Sequence, residues 1–395
     1  MNIGILTFHR SYNYGAFTQC FSLVKRLQKE LPEHNIEVID YSSKKAIDSY
    51  DLQVESCQDQ KKQEFLKKRN EAFKQCQQSL PLSDFCEISD DYTEMVKYMN
   101  ERYDAVIVGS DAVFNWVTRG FPNLYFLKDY KGIKFSYAAS AHGMVYQNMT
   151  DEQKEYLDTA FGDFKYIGVR DTTTEDMVRF VNRSTPVYHN CDPTMFLDLS
   201  DVPCDMEALK KKMIAHGVDF SKPLIGLMAG NSIGREIKKK YGNRIQLVAL
   251  YEPNKYADVY LYDLTPFEWV HVFSLFKLTF THFFHGTLLS LANGVPVIPI
   301  EFKNDFSAVN KTKILDVMTR LGLADWRMEA DYRNQSIIVK AMRKFGLYCD
   351  RTLWNKAFKL ADDFLQNDYS SIILDKRKKE AESFDSFIEN LKKYL

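Results

Sequence analysis

The sequence predicts an α/β protein of two doubly wound halves, each a parallel sheet flanked by helices, followed by further helices. Three observations carry the prediction. Apolar runs of strand length alternate with segments of helical period, as in parallel βαβ units. This pattern occurs twice, on either side of the polar stretch Asp198–Ser221. The last stretch is helical and heavily charged, with no strand-like run. At 395 residues the chain has room for two or three domains. The expected division is a Rossmann-like domain over 1–200, a second over 201–332, and a helical segment over 333–395 that packs back across the domains. Two such halves are expected to face a cleft at the carboxyl ends of their strands.

Asn2–Phe8 is a short apolar run, read as a buried strand. Ser11–Gly15 is the loop after it, and Phe17, Phe21, Val24 and Leu27 mark one face of a helix over Ala16–Leu31. Ile36–Tyr41 is the next strand. Ser56–Gln78, rich in Lys, Gln and Glu, reads as exposed helix or an insertion. Ala105–Gly109 and Lys134–Ala139 are buried strands that end in Ser110-Asp111 and Ser140-Ala141-His142-Gly143. Glu152–Phe161 is a helix. Tyr166–Val169 leads into Arg170-Asp171, with Thr172 or Thr173 capping the next helix. Pro186–His189 closes the first half before Asn190-Cys191-Asp192-Pro193-Thr194. The second half runs through strands Leu224–Ala229 and Arg244–Ala249, a helix over Pro266–Phe276, strand Leu278–His282, a short helix from Gly286, and strand Val295–Ile300. From Asn334 onward the pattern is helical.

Lys and Arg total 52 against 53 acidic residues, a formal net charge of −1, so no nucleic-acid partner is expected. Hydrophobic residues at 45% and charged ones at 27% are those of a folded chain. The seven cysteines are odd in number and contain no C-x-x-C pair, so neither a metal site nor a disulfide framework is expected. A reducing compartment follows from that usage. The first residues lack a basic segment followed by a long apolar one. The most apolar region, Tyr256–Phe284, is broken by Asp258, Asp263, Glu268, His271 and Lys277, too often for a bilayer span. A cytoplasmic location is the expectation.

Residues just after strands are the candidates for function. Asn13, Tyr14 and Gly15 open a helix, where free N–H groups attract anions; a plain turn capped by Asn13 is the other reading. Ser110 and Asp111 are either a helix cap or a sugar-binding and general-base pair. Arg170 either binds a carboxylate or phosphate in bidentate fashion or pairs with a carboxylate of the chain. Asp192-Pro193 reads as a hinge. His285, with Gly286 and Thr287, lies between a strand and a helix of small residues, and histidine is the residue type suited to proton transfer. A buried histidine bonded to backbone is the alternative there. His282 reads as a packed strand residue.

Taken in order, these residues resemble the polysaccharide pyruvyl transferase family. The resemblance is carried by Asn13-Tyr14-Gly15 with Gln19, Gly109-Ser110-Asp111 with Asn115, and Ser136–Ser140. It continues through Val169-Arg170-Asp171, Asp192-Pro193-Thr194, and Thr281 with His285-Gly286-Thr287. It covers the chain to about Ile300. It implies a GT-B-like fold and transfer of the enolpyruvyl unit of phosphoenolpyruvate onto a sugar, as a cyclic ketal. The acceptor would be a unit of a surface polysaccharide or its lipid-linked precursor. Peripheral association with the inner face of the membrane would follow, and no cofactor beyond the donor substrate is implied. Residue by residue, Arg170 becomes an anion binder and His285 a general acid/base or phosphate contact. Gly286 and Thr287 become N–H donors to phosphate. Asn13, Gly15 and Asp111 face acceptor or donor. Phe283, Ala112 and Phe114 depart from the family pattern, which keeps two other functions open: a nucleotide-sugar glycosyltransferase and a non-catalytic glycan-binding relative.

Overall fold

The computed structural model describes all residues except 59, 118, 304–308, 331–335, 337 and 340–349. Two compact units emerge: Met1–Asp198 with Lys379–Leu395, and Leu199–Lys378. The expected boundary at 332/333 falls outside the described residues.

In the first unit the strands are β1 (Asn2–Leu6), β2 (Asn35–Ser42), β3 (Leu82–Ile88), β4 (Ala105–Asp111), β5 (Ile133–Ala139), β6 (Phe164–Val169) and β7 (Val187–His189). They form one sheet in the order β3-β2-β1-β4-β5-β6-β7, and every described pairing is parallel. Helices α1 (Tyr14–Glu30), α2 (Lys44–Glu55), α3 (Gln60–Gln77), α4 (Thr93–Arg102), α5 (Asp151–Gly162) and α6 (Thr172–Val181) connect them. The central strands are buried on both faces, so they read as continuous apolar runs. The chain builds outward from β1 to β3, returns to lay β4 beside β1, then builds outward the other way. That reversal leaves a crevice at the carboxyl ends of β1 and β4, the place where open α/β sheets take ligands.

The second unit holds β8 (Leu224–Met228), β9 (Gln246–Leu250), β10 (Val259–Leu261), β11 (Leu278–Thr281), β12 (Val297–Phe302) and β13 (Met328–Ala330). Their order is β10-β9-β8-β11-β12-β13, again parallel throughout. Its reversal point lies between β8 and β11. The helices are α7 (Met206–Ala215), α8 (Asn231–Tyr241), α9 (Pro266–Val272), α10 (Phe284–Ala292), α11 (Lys313–Arg320), α12 (Arg351–Gln366) and α13 (Ser370–Ala381).

The final helix, α14 (Ser383–Leu391), returns to the first unit. It buries Phe384, Phe387, Ile388 and Leu391. Phe387 packs against Tyr137 and Tyr166, with ring centroids 4.8 and 5.1 Å apart, and Phe384 against Tyr137 at 5.3 Å. The hydroxyl of Ser383 accepts the Cys191 N–H at 2.9 Å. Each such side chain contributes roughly 1.5–3 kcal/mol of burial.

The expected class, two α/β domains each with a parallel sheet, is the class found. Boundaries differ where side chains override the apolar pattern. β1 ends at Leu6 rather than Phe8, because the chain turns away to begin the loop. α1 begins at Tyr14, because the Asn13 side chain accepts the Gly15 and Ala16 N–H groups. β3, β10, β13 and α8 were not expected.

Candidate functional site

The carboxyl end of the first sheet is locked by a chain of buried hydrogen bonds. Gln19 Nε2 donates to Thr7 Oγ1 at 3.0 Å, and Thr7 Oγ1 donates to the Ser110 carbonyl at 2.9 Å. Ser110 is fully buried and its hydroxyl donates to the Ala138 carbonyl. Gly109 adopts φ +117°, and a Cβ there would lie 2.2 Å from the Tyr137 carbonyl oxygen. Only glycine permits that approach. Asp111 follows at φ +82°, a strained region for a non-glycine residue. The result is a carboxylate turned out at the β4 terminus, its side chain 18% exposed.

Arg170 holds that carboxylate from behind. Its side chain is 1% exposed; Nη1 donates to Asp192 Oδ2 at 2.8 Å, and Nη2 lies 3.7 Å from Asp111 Oδ1. Burial opposes the charge, but Asp192, Asp111 and Asp171 outweigh it and hold the guanidinium pKa above its ordinary value. Arg170 was expected to bind a substrate anion. The structure corrects this: the guanidinium is sealed in and engaged by the chain's own carboxylates. Asp171 in turn caps α6 through Thr174 and accepts the Ser140 hydroxyl at 2.6 Å. Asp192 caps the short helix that Pro193 begins.

Asn13 acts as the α1 cap, the simpler of its two readings. Tyr14 and Gly15 are buried, and Tyr14 packs on Phe73 with centroids 4.8 Å apart. Phe114, expected as a departure from the family pattern, is a fully buried core ring stacked with Phe126. Ala112 donates its N–H to Asp111 Oδ1 at 2.8 Å.

The same edge carries a cluster that sequence reasoning missed. Arg10 clasps Asp40 through two hydrogen bonds of 2.5 and 2.6 Å, and His9 Nε2 meets Asp40 Oδ1 at 2.9 Å. Burial favours the neutral acid, yet the His9 and Arg10 bonds prevail and hold Asp40 well below the usual carboxylate range. His9 and Arg10 follow a strand directly, the signal used for the other candidates. Arg119, on the loop after β4, was missed too; its guanidinium lies over the Phe8 ring at 4.3 Å.

In the second unit, α8 and α10 both start at the β8/β11 reversal point. The N-caps, Gly230 and Phe283, provide no side-chain acceptor to either helix. Two positive helix ends therefore open at neighbouring strand termini. Gly286 lets α10 sit against β8 and β11: a Cβ there would lie 2.6 Å from Thr281 Oγ1 and 2.9 Å from Met228 Sδ. His285 stands partly exposed on the first turn. Thr287 does not offer the expected N–H donor. Its N–H makes the first intrahelical bond to the Phe283 carbonyl at 3.1 Å, and its hydroxyl reaches the same oxygen. His282 lies beyond the strand rather than in it, and burial lowers its pKa, with Glu252 opposing. Phe283 forms an aromatic wall with Tyr251 and His282, centroids 4.9 and 4.2 Å away. Asp111, Ser110 and Arg170 thus gather at one sheet end, while His285, Gly286 and Thr287 gather at the other sheet's.

Comparison with known proteins identifies both fold and family. A family model described as polysaccharide pyruvyl transferase matches residues 13–304. No curated protein matches the chain. Among solved structures, UDP-GlcNAc 2-epimerase from Methanocaldococcus jannaschii is similar at a TM-score of 0.55 with 10% identity, over 93% of this chain and 94% of that one. The Neisseria meningitidis UDP-GlcNAc 2-epimerase, bound to UDP-GlcNAc, gives 0.52 and 10% over 100% of both chains. At such identity the likeness is one of fold. No described helix is long and apolar enough to cross a membrane.

Proposed function

The chain belongs to the polysaccharide pyruvyl transferase family, and on that premise we propose that it moves the enolpyruvyl group of phosphoenolpyruvate onto sugar hydroxyls, forming a pyruvate ketal. The acceptor is a sugar of a surface polysaccharide or its lipid-linked precursor. The observation that carries the reading is the pair of helix ends without side-chain caps at the β8/β11 reversal point, beside His285. Phosphoenolpyruvate carries about three negative charges, and helix N-termini stabilise anions without a metal.

In the reaction the donor's terminal carbon gains a proton and becomes a methyl group. The bond from its central carbon to the phosphate oxygen breaks. Two sugar oxygens bond to that carbon, each hydroxyl losing its proton, one of which is carried off by the released phosphate. His285 serves as acid/base or phosphate contact, and the Gly286 N–H as a phosphate donor. Asp111, held by Arg170, takes the hydroxyl proton, with Ser110 fixing the strand end behind it and Asn13, Tyr14 and Gly15 shaping the neighbouring loop. A positioned proton-transfer group contributes roughly a hundred- to ten-thousandfold in rate.

Phosphate release from phosphoenolpyruvate is measured across a panel of sugar acceptors, with nucleotide sugars as competing donors in thermal-shift binding. Acceptor-dependent release that falls at least a hundredfold in His285→Ala, with an unchanged melting point, is the expected result. Stabilisation by nucleotide sugars alone, with no release, transfers the chain to glycosyl chemistry.

A further inference from the structure

Arg119 differs from the other arginines at its sheet end. Arg10 is spent on Asp40, and Arg170 on Asp192. For Arg119, no carboxylate, carbonyl or hydroxyl among the described residues pairs with its side chain, and its Nε is buried without a partner. The guanidinium carbon lies over the Phe8 ring, 4.3 Å from its centroid, a cation–π contact. Phe8 belongs to the loop after β1 and Arg119 to the loop after β4, so this contact bridges the two loops that border the reversal-point crevice. Phe8 is fixed edge-on by Tyr125, centroids 5.0 Å apart. Burial pushes the Tyr125 phenol up to about 12, with the Arg119 charge acting to lower it and the Asp111 charge to raise it.

The buried Nε–H of Arg119, left without an acceptor, carries a desolvation cost. The contact with Phe8 anchors the guanidinium carbon over the ring. The edge, with its forked N–H donors, is the part that matches a planar or tetrahedral oxyanion in two-point fashion. We propose that Arg119 binds a negatively charged group, phosphate or carboxylate, carried by the acceptor sugar whose hydroxyl faces Asp111. The word acceptor rests on the pyruvyl-transfer reading above; the anion site itself does not. Arg119 thereby selects acidic or phosphorylated sugars over neutral ones.

Calorimetric titration of the full chain with galactose, galactose 1-phosphate, galacturonate and phosphoenolpyruvate tests this. The wild type is expected to bind at least one charged sugar about ten- to a hundredfold more tightly than galactose, the range of one charged hydrogen-bonded contact. Arg119→Gln removes that preference, and Arg119→Lys retains part of it, because the charge survives while the fork does not. The two anionic sugars tell phosphate from carboxylate. Unchanged preference in Arg119→Gln, at a wild-type melting point, overturns the proposal. So does a wild type that binds neither anion better than galactose. Loss of phosphoenolpyruvate affinity in Arg119→Gln, with sugar binding intact, overturns the assignment to the acceptor. If charged sugars bind through Arg119 while phosphoenolpyruvate binds no variant, the anion site stands and the donor reading falls.

Discussion

Arg170→Met is the most informative single change to the first unit. It removes the charge that compensates Asp192, whose side chain is itself 1% exposed. Breaking a buried pair by deleting one partner costs about 3–5 kcal/mol, because the remaining carboxylate cannot regain water. In a unit of this size each kcal/mol shifts the melting point by roughly 2–4 °C, so the expected drop is about 6–20 °C. Replacing both partners is a different perturbation. Arg170→Met with Asp192→Asn removes the Asp192 charge together with its partner and keeps the side-chain oxygen that caps the Pro193 turn, so the part of the loss due to Asp192 returns, while Asp111 and Asp171 stay without the guanidinium. Urea denaturation of the wild type, both single variants and the double variant closes the thermodynamic cycle. A single-variant cost under about 1 kcal/mol, with no recovery in the double, would show that Arg170 does not neutralise buried charge, and its role behind Asp111 would go with it.

Gly286→Ala is expected to destabilise the second unit by about 1–3 kcal/mol, since the added methyl meets Thr281 and Met228 at closer than contact distance; thermal unfolding reads this, and a neutral result would mean that α10 can slide off β11 without penalty. Asp40 gives a pH signature. Its folded-state pKa lies below the ordinary value near ~3.9, so the stability it contributes is complete above about pH 4 and drains away as pH falls toward the folded-state value. Asp40→Asn should lower stability at pH 7 and flatten the acid loss below about pH 4, and parallel curves for wild type and variant in that acid range contradict the Arg10–His9–Asp40 geometry.

The strands that lead into the candidate residues were legible because parallel strands buried on both faces read as apolar runs. β4, β5, β6, β8 and β11 all showed in this way, and so did the polar residues that end them. β3 did not. Its burial alternates, Asp84 and Glu87 interrupt it, and what holds it is main-chain pairing to β2 at a sheet edge. α8 hid for the opposite reason: its charged Lys238–Lys240 run looks like loop, while Ile233, Ile237 and Tyr241 bury a narrow stripe. Side-chain roles were least legible where a partner is remote. Nothing local in Arg170 says that a carboxylate 22 positions later will consume its charge, or that Arg119 will be left without one. The family resemblance ran over the same part of the chain as the family match, but whether a given arginine there meets ligand or protein is decided by tertiary pairing.

The return of α14 to the first sheet has a consequence for how the chain is made. A ribosome finishes residues 1–198 long before Ser383 emerges, so the nascent lobe waits with the apolar surface around Tyr137 and Tyr166 still wet. An isolated N-terminal fragment inherits the same exposed flank and should be sticky in solution. Grafting the last seventeen residues back onto such a fragment supplies the missing lid.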